Sequence, residues 1–307
     1  MRRALATPSA LERSGRTRGE WRTTSMGVGW LAGIRRMLTG GERPVADAVR
    51  HRSRADNVYH CCVHKTGSQW VRALLSDALT YTYSGLRPFT YQASLEGRYD
   101  ARPITERRFA EPFPRETIVT PLYIDLDNFL AIPKPGAYRA FFVMRDPRDI
   151  VVSWYFSTKK SHAVVGGIGR IRQDLGTLSV PDGIRYALQH MQKRGHFAAL
   201  DSWREAERRD PNSVVIRFED LTDGGSEGLQ RMFAHCDVQM PPDDIERLLR
   251  DYSFERLSGR RRGEEDEAAH YRKGIAGDWK NHFDDRLRAD FEAAAPGLVG
   301  RLGYQWD

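Results

Sequence analysis

Four short apolar runs recur along the chain, at residues 58–63, 117–120, 138–144 and 213–218. Runs of this length without polar alternation read as strands buried on both faces. Most are followed by a stretch of helical spacing, and strands alternating with helices predict a parallel sheet covered on both sides. The expected fold is therefore α/β: a single three-layer domain with a central parallel sheet flanked by helices.

The connections carry as much information as the strands. Val58 to Val63 enters His64-Lys65-Thr66-Gly67-Ser68, and Gln69 to Leu79 then takes helical spacing, with Trp70, Ala73, Leu74 and Ala78 on one face. Tyr138 to Met144 ends in Arg145-Asp146-Pro147-Arg148-Asp149. There Asp146 suits an N-cap, Pro147 the first helical position and Asp149 the first turn, so a helix is predicted through about Lys159. A long helical pattern covers Asp182 to Arg209, and a shorter one Asp243 to Tyr252. Residues 84–116 are rich in Pro, Arg and aromatics without periodicity. The charged, Gly-containing stretch Gly259 to Glu267 reads as mobile.

The chain has 307 residues and a formal charge of +7, which raises the question of a polyanionic partner. The charge is localised: residues 1–54 hold 12 Arg, no Lys and 4 acidic residues, leaving 36 basic and 37 acidic residues in the remainder. A near-neutral body lacks the basic stripe of a nucleic-acid-binding domain, so no nucleic-acid partner is expected. Residues 1–54 read as a basic, flexible arm and residues 55–307 as the folded domain. The arm's apolar stretch, Met26 to Ile34, is shorter than the roughly 20 residues a membrane span needs. It lacks the cleavage site of a secretory signal. A disordered extension is the favoured reading, with weak contact to a membrane surface as the alternative; Met26 is an alternative start. Cys61, Cys62 and Cys236 fit neither a disulfide framework nor a metal site and read as buried thiols, consistent with a reducing, cytoplasmic location.

Three segments carry candidate chemistry. The turn at residues 64–70 joins a strand to a helix, where free backbone N–H groups and the positive helix end can hold a phosphate or sulfate. Lys65 and Ser68 add side-chain donors, and Gly67 lets the backbone approach. Lys65 precedes Gly67 rather than following the last glycine, so the turn is P-loop-like without being a Walker motif. Taken alone, such a turn is more often an ordinary connection. Yet the chain has 41 Arg and 7 Lys, so Lys at 65, 273 and 280 runs against its own bias. Lysine suits a compact, mobile charge following a migrating group. Arg145 stands at the carboxyl end of a central strand, where open α/β sheets bind ligands, with Ser153 two turns into the next helix. Arg272-Lys273-Gly274-Ile275-Ala276-Gly277-Asp278-Trp279-Lys280 places two cations before two glycines.

Together, in this order, the three segments resemble the sulfotransferases that use 3′-phosphoadenosine 5′-phosphosulfate (PAPS). His64 to Trp70 is similar to that family's Pro-Lys-Ser-Gly-Thr-Thr-Trp turn. Arg145, Pro147, Asp149 and Ser153 match Arg-x-Pro-x-Asp-x-x-x-Ser, and Arg272 to Lys280 matches Arg-Lys-Gly-x-x-Gly-Asp-Trp-Lys in full. Phe218-Glu219-Asp220-Leu221 resembles Tyr-Glu-Asp-Leu. The likeness runs collinearly from about residue 57 to 303.

The resemblance implies transfer of a sulfuryl group from PAPS to a hydroxyl or amine of a small-molecule or carbohydrate acceptor, with no metal. It implies that Lys65, Thr66, Gly67, Ser68 and Gln69 hold the 5′-phosphosulfate. Arg145, Ser153, Arg272, Lys273 and Gly274 hold the 3′-phosphate, Trp70 and Phe254 sandwich the adenine, and Phe218 lies near the nucleotide. Lys65 is the expected catalytic cation. The family's general-base histidine falls at Pro121, so Asp125 is the expected catalytic base, with His64 and His162 as alternatives; a PAP-binding protein without catalysis is the alternative function. The dimer segment following the last motif is replaced by Phe283-Asp284-Asp285-Arg286 and is not carried over.

Overall fold

The computed structural model describes residues 49–95, 99–162 and 167–307, which belong to one compact unit. The expected arm up to residue 48, including Met26 to Ile34, lies outside the described residues. Residues 50–54, placed with the arm by composition, hydrogen-bond to the domain. Arg50 N donates to Thr82 O at 2.7 Å and Arg54 N to Asp237 Oδ2 at 2.7 Å.

Five strands form the sheet: β1 (Asn57–Cys62), β2 (Arg87–Phe89), β3 (Thr117–Tyr123), β4 (Tyr138–Met144) and β5 (Ser213–Arg217). Their order is β2-β3-β1-β4-β5, and every pair is parallel. All residues of β1 and β3 are buried, as a sheet covered on both faces requires. Alternate side chains serve opposite layers. Tyr59, Cys61 and Phe142 join the core beneath the helices carrying Trp154, Leu188 and Trp203. Val58, Phe141 and Val143 join Leu74, Met232 and Leu248 on the other face.

The helices are α1 (Ser68–Leu75), α2 (Ala78–Thr82), α3 (Leu126–Leu130), α4 (Pro147–Phe156), α5 (Ile168–Gly176), α6 (Val180–Lys193), α7 (His196–Trp203) and α8 (Ala206–Arg209). They continue as α9 (Phe218–Thr222), α10 (Glu227–His235), α11 (Pro242–Asp251), α12 (Phe254–Ser258), α13 (Asp285–Ala294) and α14 (Leu298–Arg301). Asp146 caps α4 as expected, accepting from Arg148 N at 2.9 Å, but α4 ends at Phe156 and gives way to a π-turn over Ser157–Ser161.

Three expectations change. The helix expected over 69–79 splits because Asp77 caps a new one, accepting from Leu79 N at 2.8 Å. The pattern at 182–209 breaks into α6, α7 and α8. At the first break Gly195 has φ of 76°, and a Cβ there would sit 2.7 Å from Thr105 Oγ1. The strand expected to stop at Thr120 runs on to Tyr123, because its pairing with β1 shifts register between Tyr59↔Val119 and Cys61↔Leu122. That shift passes Pro121, which cannot donate to a ladder, and the chain resumes pairing beyond it. Among the described residues, no helix is long and apolar enough to cross a membrane.

Candidate active site

After β1 the chain proceeds to one side of the sheet, forming β2 and β3, and then crosses to β4 on the other. The carboxyl ends of β1 and β4 thus diverge, which opens the crevice where sheets of this kind bind ligands. The carboxyl ends of β1, β3, β4 and β5 deliver Lys65, Tyr123, Arg145 and Phe218 to one cavity of about 650 Å³.

The loop from β1 to α1 is built from left-handed residues, with Lys65 at φ 74° and Gly67 at φ 77°. Thr66 Oγ1 closes it by donating to Val63 O at 2.9 Å. Glycine is required at 67, since a Cβ would fall 2.4 Å from Phe218 Cε2. Successive turns of this kind aim backbone N–H groups into a concavity, continued by the unbonded amides of the first turn of α1. Burial, then the nearby cations Arg145 and Arg272, lower the Lys65 ammonium from its ordinary value to about 8. Among the described residues, that ammonium has no ion pair or hydrogen bond with a protein group.

Arg145 braces the loop from below: its Nη1 donates to Lys65 O at 2.9 Å, and its guanidinium lies 4.6 Å from the Phe218 ring centroid. Its buried Nε has no partner among the described residues. Asp149 lies 3.9 Å from Arg145 Nη2. The hydrogen bonds of its carboxylate go elsewhere, accepting from Gly277 N at 2.7 Å and Trp279 N at 2.9 Å. This docks the C-terminal motif onto α4. Within that motif Asp278 gathers the cations, accepting from Arg272 Nη2, from Lys273 Nζ at 2.6 Å and from Asn281 Nδ2 at 2.8 Å. Burial alone would raise this carboxyl, but those donors together with His282 hold it well below the usual range. Arg262 ties the segment expected to be mobile to the same motif, donating from Nε to Gly274 O at 2.9 Å, and to the end of α9, donating from Nη1 to Thr222 O at 3.1 Å.

The structure brings most of the expected residues together. Lys65, Gly67, Ser68, Gln69 and Trp70 line the cavity from the first loop, and Arg145 and Ser153 from the second segment. Phe218 and Phe254 face it, as do Arg272, Lys273 and Gly274. Gly274 has φ of 69° and packs so closely on Phe254 that a Cβ would sit 2.4 Å from its ring. Trp70 is held by its Nε1, which donates to Tyr252 O at 2.9 Å.

Two residues are placed otherwise. Thr66 is buried with its hydroxyl on Val63 O and is not part of the lining. Asp125 also lies outside the lining. Its carboxylate caps α3, accepting from Asn128 N at 2.8 Å and Asn128 Nδ2 at 3.0 Å, because β3 extends past Pro121 and Asp125 becomes the cap of the next helix.

Sequence reasoning missed, among other lining residues, Tyr123, Ser157 and His270. The Tyr123 hydroxyl lies 3.0 Å from Ser68 Oγ and 3.4 Å from Gln69 Nε2. Its only signal is an aromatic at the end of an apolar run interrupted by Pro121. Ser157, in the π-turn, has a buried hydroxyl without a partner among the described residues. His270 is pushed down to about 4 by burial and by Lys65.

The chain also has recognisable relatives. The model of the sulfotransferase domain family matches residues 134–301, just over half of the chain. Human sulfotransferase 2A1 is 23% identical over 164 residues, covering 50% of this chain and 54% of that protein. Zebrafish (Danio rerio) sulfotransferase 6B1 is 23% identical over 217 residues, covering 66% and 67%. The match thus spans about half to two thirds of the length of these relatives. Among solved structures, mouse sulfotransferase SULT7A1 complexed with PAP superposes with a TM-score of 0.52 at 14% identity, covering 88% of this chain and 93% of that one. Retinol dehydratase in a complex with retinol and PAP gives 0.53 at 16% identity, covering 91% and 88%. Likeness at such low identity concerns the fold, and the fold agrees with the domain match that contains Arg145, Ser153 and the motif from Arg272 to Lys280. The chain belongs to the sulfotransferase family.

Proposed function

We propose that the chain transfers a sulfuryl group from PAPS to a hydroxyl or amine of a small-molecule or carbohydrate acceptor and releases adenosine 3′,5′-bisphosphate (PAP). The observation that carries this reading is the convergence of Lys65, Arg145, Arg272 and Lys273 on one cavity of about 650 Å³. The solved relatives named above hold PAP, and one of them holds retinol. The reaction is assigned to residues 55–307, with the basic arm outside it, and to the reducing interior of a cell.

The residues present fit such a donor. Gly67 and Gly274 each leave room that a Cβ would fill against Phe218 and Phe254. The Nε of Arg145 and the ammonium of Lys65, both without a partner among the described residues, supply donors for anionic oxygens. In this assignment Lys65, Gly67, Ser68 and Gln69 hold the 5′-phosphosulfate, with Thr66 fixing the loop beneath them. Arg145, Ser153, Arg272, Lys273 and Gly274 hold the 3′-phosphate, and Trp70 and Phe254 stack on the adenine.

PAPS brings an activated sulfuryl group whose bridging oxygen gains negative charge as the sulfur–oxygen bond breaks. Lys65 and the amides at the start of α1 stabilise that charge. They stand ready before the reaction and need no reorganisation during it. Burial disfavours an isolated ammonium, so an anion settling beside Lys65 stabilises its protonated form. Arg145, hydrogen-bonded to Lys65 O, keeps the loop in its left-handed course.

Release of PAP from PAPS in the presence of a panel of phenols, alcohols and amines tests the reading. The expected result is acceptor-dependent PAP release that falls about a hundredfold or more in Lys65→Met, the loss typical of a removed charge-stabilising donor. Tight PAP binding with no transfer to any acceptor would instead favour a binding protein without turnover.

A further inference from the structure

We propose that Nε2 of His64 is the base that takes the acceptor's proton, in a tautomer fixed by His196 and the carbonyl of Met191. The inference rests on the sulfotransferase reading above, and its starting point is a gap. The position expected to bear a base is Pro121, and Asp125 is occupied with capping α3.

His64 lines the cavity beside Lys65. Its ring stacks on Tyr123 with centroids 4.0 Å apart, and its Nδ1 lies 3.1 Å from Nε2 of His196. His196 opens α7, is buried, and places its Nδ1 3.2 Å from Met191 O on α6. A carbonyl only accepts, so Nδ1 of His196 carries a hydrogen. Burial and neighbouring cations hold the His196 imidazole down at about 3, so it is neutral and its Nε2 is a bare acceptor. Nδ1 of His64 must then donate to it. Burial, His196 and Arg107 push His64 well below its ordinary value too, so it is neutral, and its Nε2 keeps a lone pair. The second nitrogen of a histidine is commonly oriented in this way by the bond the first one makes.

The groups bearing on His64 are His196 on α7, Tyr123 on β3, Lys65 in its own loop, and the more distant Arg107, His162 and Arg194. None of these is a carboxylate, so nothing among them draws a resting proton onto Nε2. In the reaction the acceptor oxygen forms a bond to sulfur while the bond from sulfur to the bridging oxygen breaks. The electron pair leaves with PAP. The acceptor's proton passes to Nε2 of His64 and later to solvent. His196 touches no reactant and acts as a positioning residue.

The test joins a tautomer measurement to a rate measurement on the full chain. Two-bond hydrogen–nitrogen correlation spectra of ¹⁵N-histidine-labelled wild type should show His64 protonated at Nδ1 and bare at Nε2. With 2-naphthol as acceptor, His64→Gln should lose about a hundredfold or more in turnover, the contribution of a positioned base. Its PAP affinity by calorimetry should stay within about twofold of wild type, since Gln leaves the phosphate donors in place. A hydrogen on Nε2 in the wild type overturns the proposal, and so does wild-type turnover by His64→Gln. The tautomer requires no variant and no acceptor, so it decides even where the variant fails to fold or naphthol is not sulfated. Wild type that does not bind PAP would remove the underlying reading, and the base with it. Binding of PAP with a protonated Nε2 would remove the base alone.

Discussion

Replacing Gly274 by alanine separates the two things this glycine does. Its φ of 69° lies in the left-handed region, and a Cβ there would sit 2.4–2.7 Å from three atoms of the Phe254 ring. The backbone effect is general: an L-residue in this region costs about 1–2 kcal/mol. For a domain of this size that corresponds to a melting temperature lower by about 2–8 °C. The steric effect is local, because the ring must move away from the position assigned to one face of the adenine. Loss of a base-stacking contact is worth about 1–3 kcal/mol, so PAP should bind about 5- to 150-fold weaker. Gly259 is the control. It has φ of 72° with nothing within 4 Å of an added Cβ, and it lies outside the cavity lining. Gly259→Ala should lose similar stability and keep wild-type PAP affinity. Thermal melts and calorimetric PAP titrations of both variants read the two effects separately. Equal PAP affinity in Gly274→Ala and Gly259→Ala would refute the placement of Phe254 against the nucleotide.

PAP affinity should hold steady up to about pH 8 and then fall by up to tenfold per unit, because burial, Arg145 and Arg272 hold the Lys65 ammonium at about 8 and the ligand binds its protonated form. Lys65→Arg, charged throughout, should give a flat profile in the same titrations. In the ligand-free protein the sign is reversed. The unfolded chain binds the extra proton between about 8 and 10.5, so this group's contribution to stability rises with pH across that window in denaturation curves. Asp278→Asn should cost on the order of 3 kcal/mol at neutral pH, the usual loss when one partner of a buried charge cluster is removed. Because the Asp278 carboxyl is held below its ordinary value, this contribution is present above the carboxylate range and lost as pH falls, so urea midpoints of wild type and variant should converge in acid. Asp125→Ala should lose about 1 kcal/mol as a helix cap with unchanged PAP affinity and turnover; a hundredfold loss of turnover would reinstate it as the base.

What could be read in the sequence was whatever depends on neighbours along the chain. β1 and β4 are unbroken apolar runs, and Asp146 with Pro147 starts α4 by local geometry alone, so these elements and the motifs at their carboxyl ends were legible. The short strand β2 was not, because Arg87-Pro88-Phe89 carries no pattern and is a strand only through its pairing with Thr117 to Val119. The break between α6 and α7 falls at Gly195, whose left-handed φ and close approach to the distant Thr105 do not show in the helical pattern around it. Asp125 was misplaced for a related reason. Pro121 looked like the end of a strand, whereas the register shift against β1 carries the strand to Tyr123 and turns the next acidic residue into a cap. The relay from Met191 through His196 to His64 joins positions more than a hundred residues apart and leaves no local trace.

The proposed function requires that the three motifs form one pocket specific for a nucleotide bearing a 3′-phosphate. Thermal melting with PAP, ADP and ATP at matched concentrations tests it most directly. A ligand bound only by the native state at 100 times its Kd adds about 2.7 kcal/mol, a rise of several degrees. Such a rise is expected with PAP, and little or none with ADP or ATP. Equal shifts with all three, or none with PAP, would contradict that requirement.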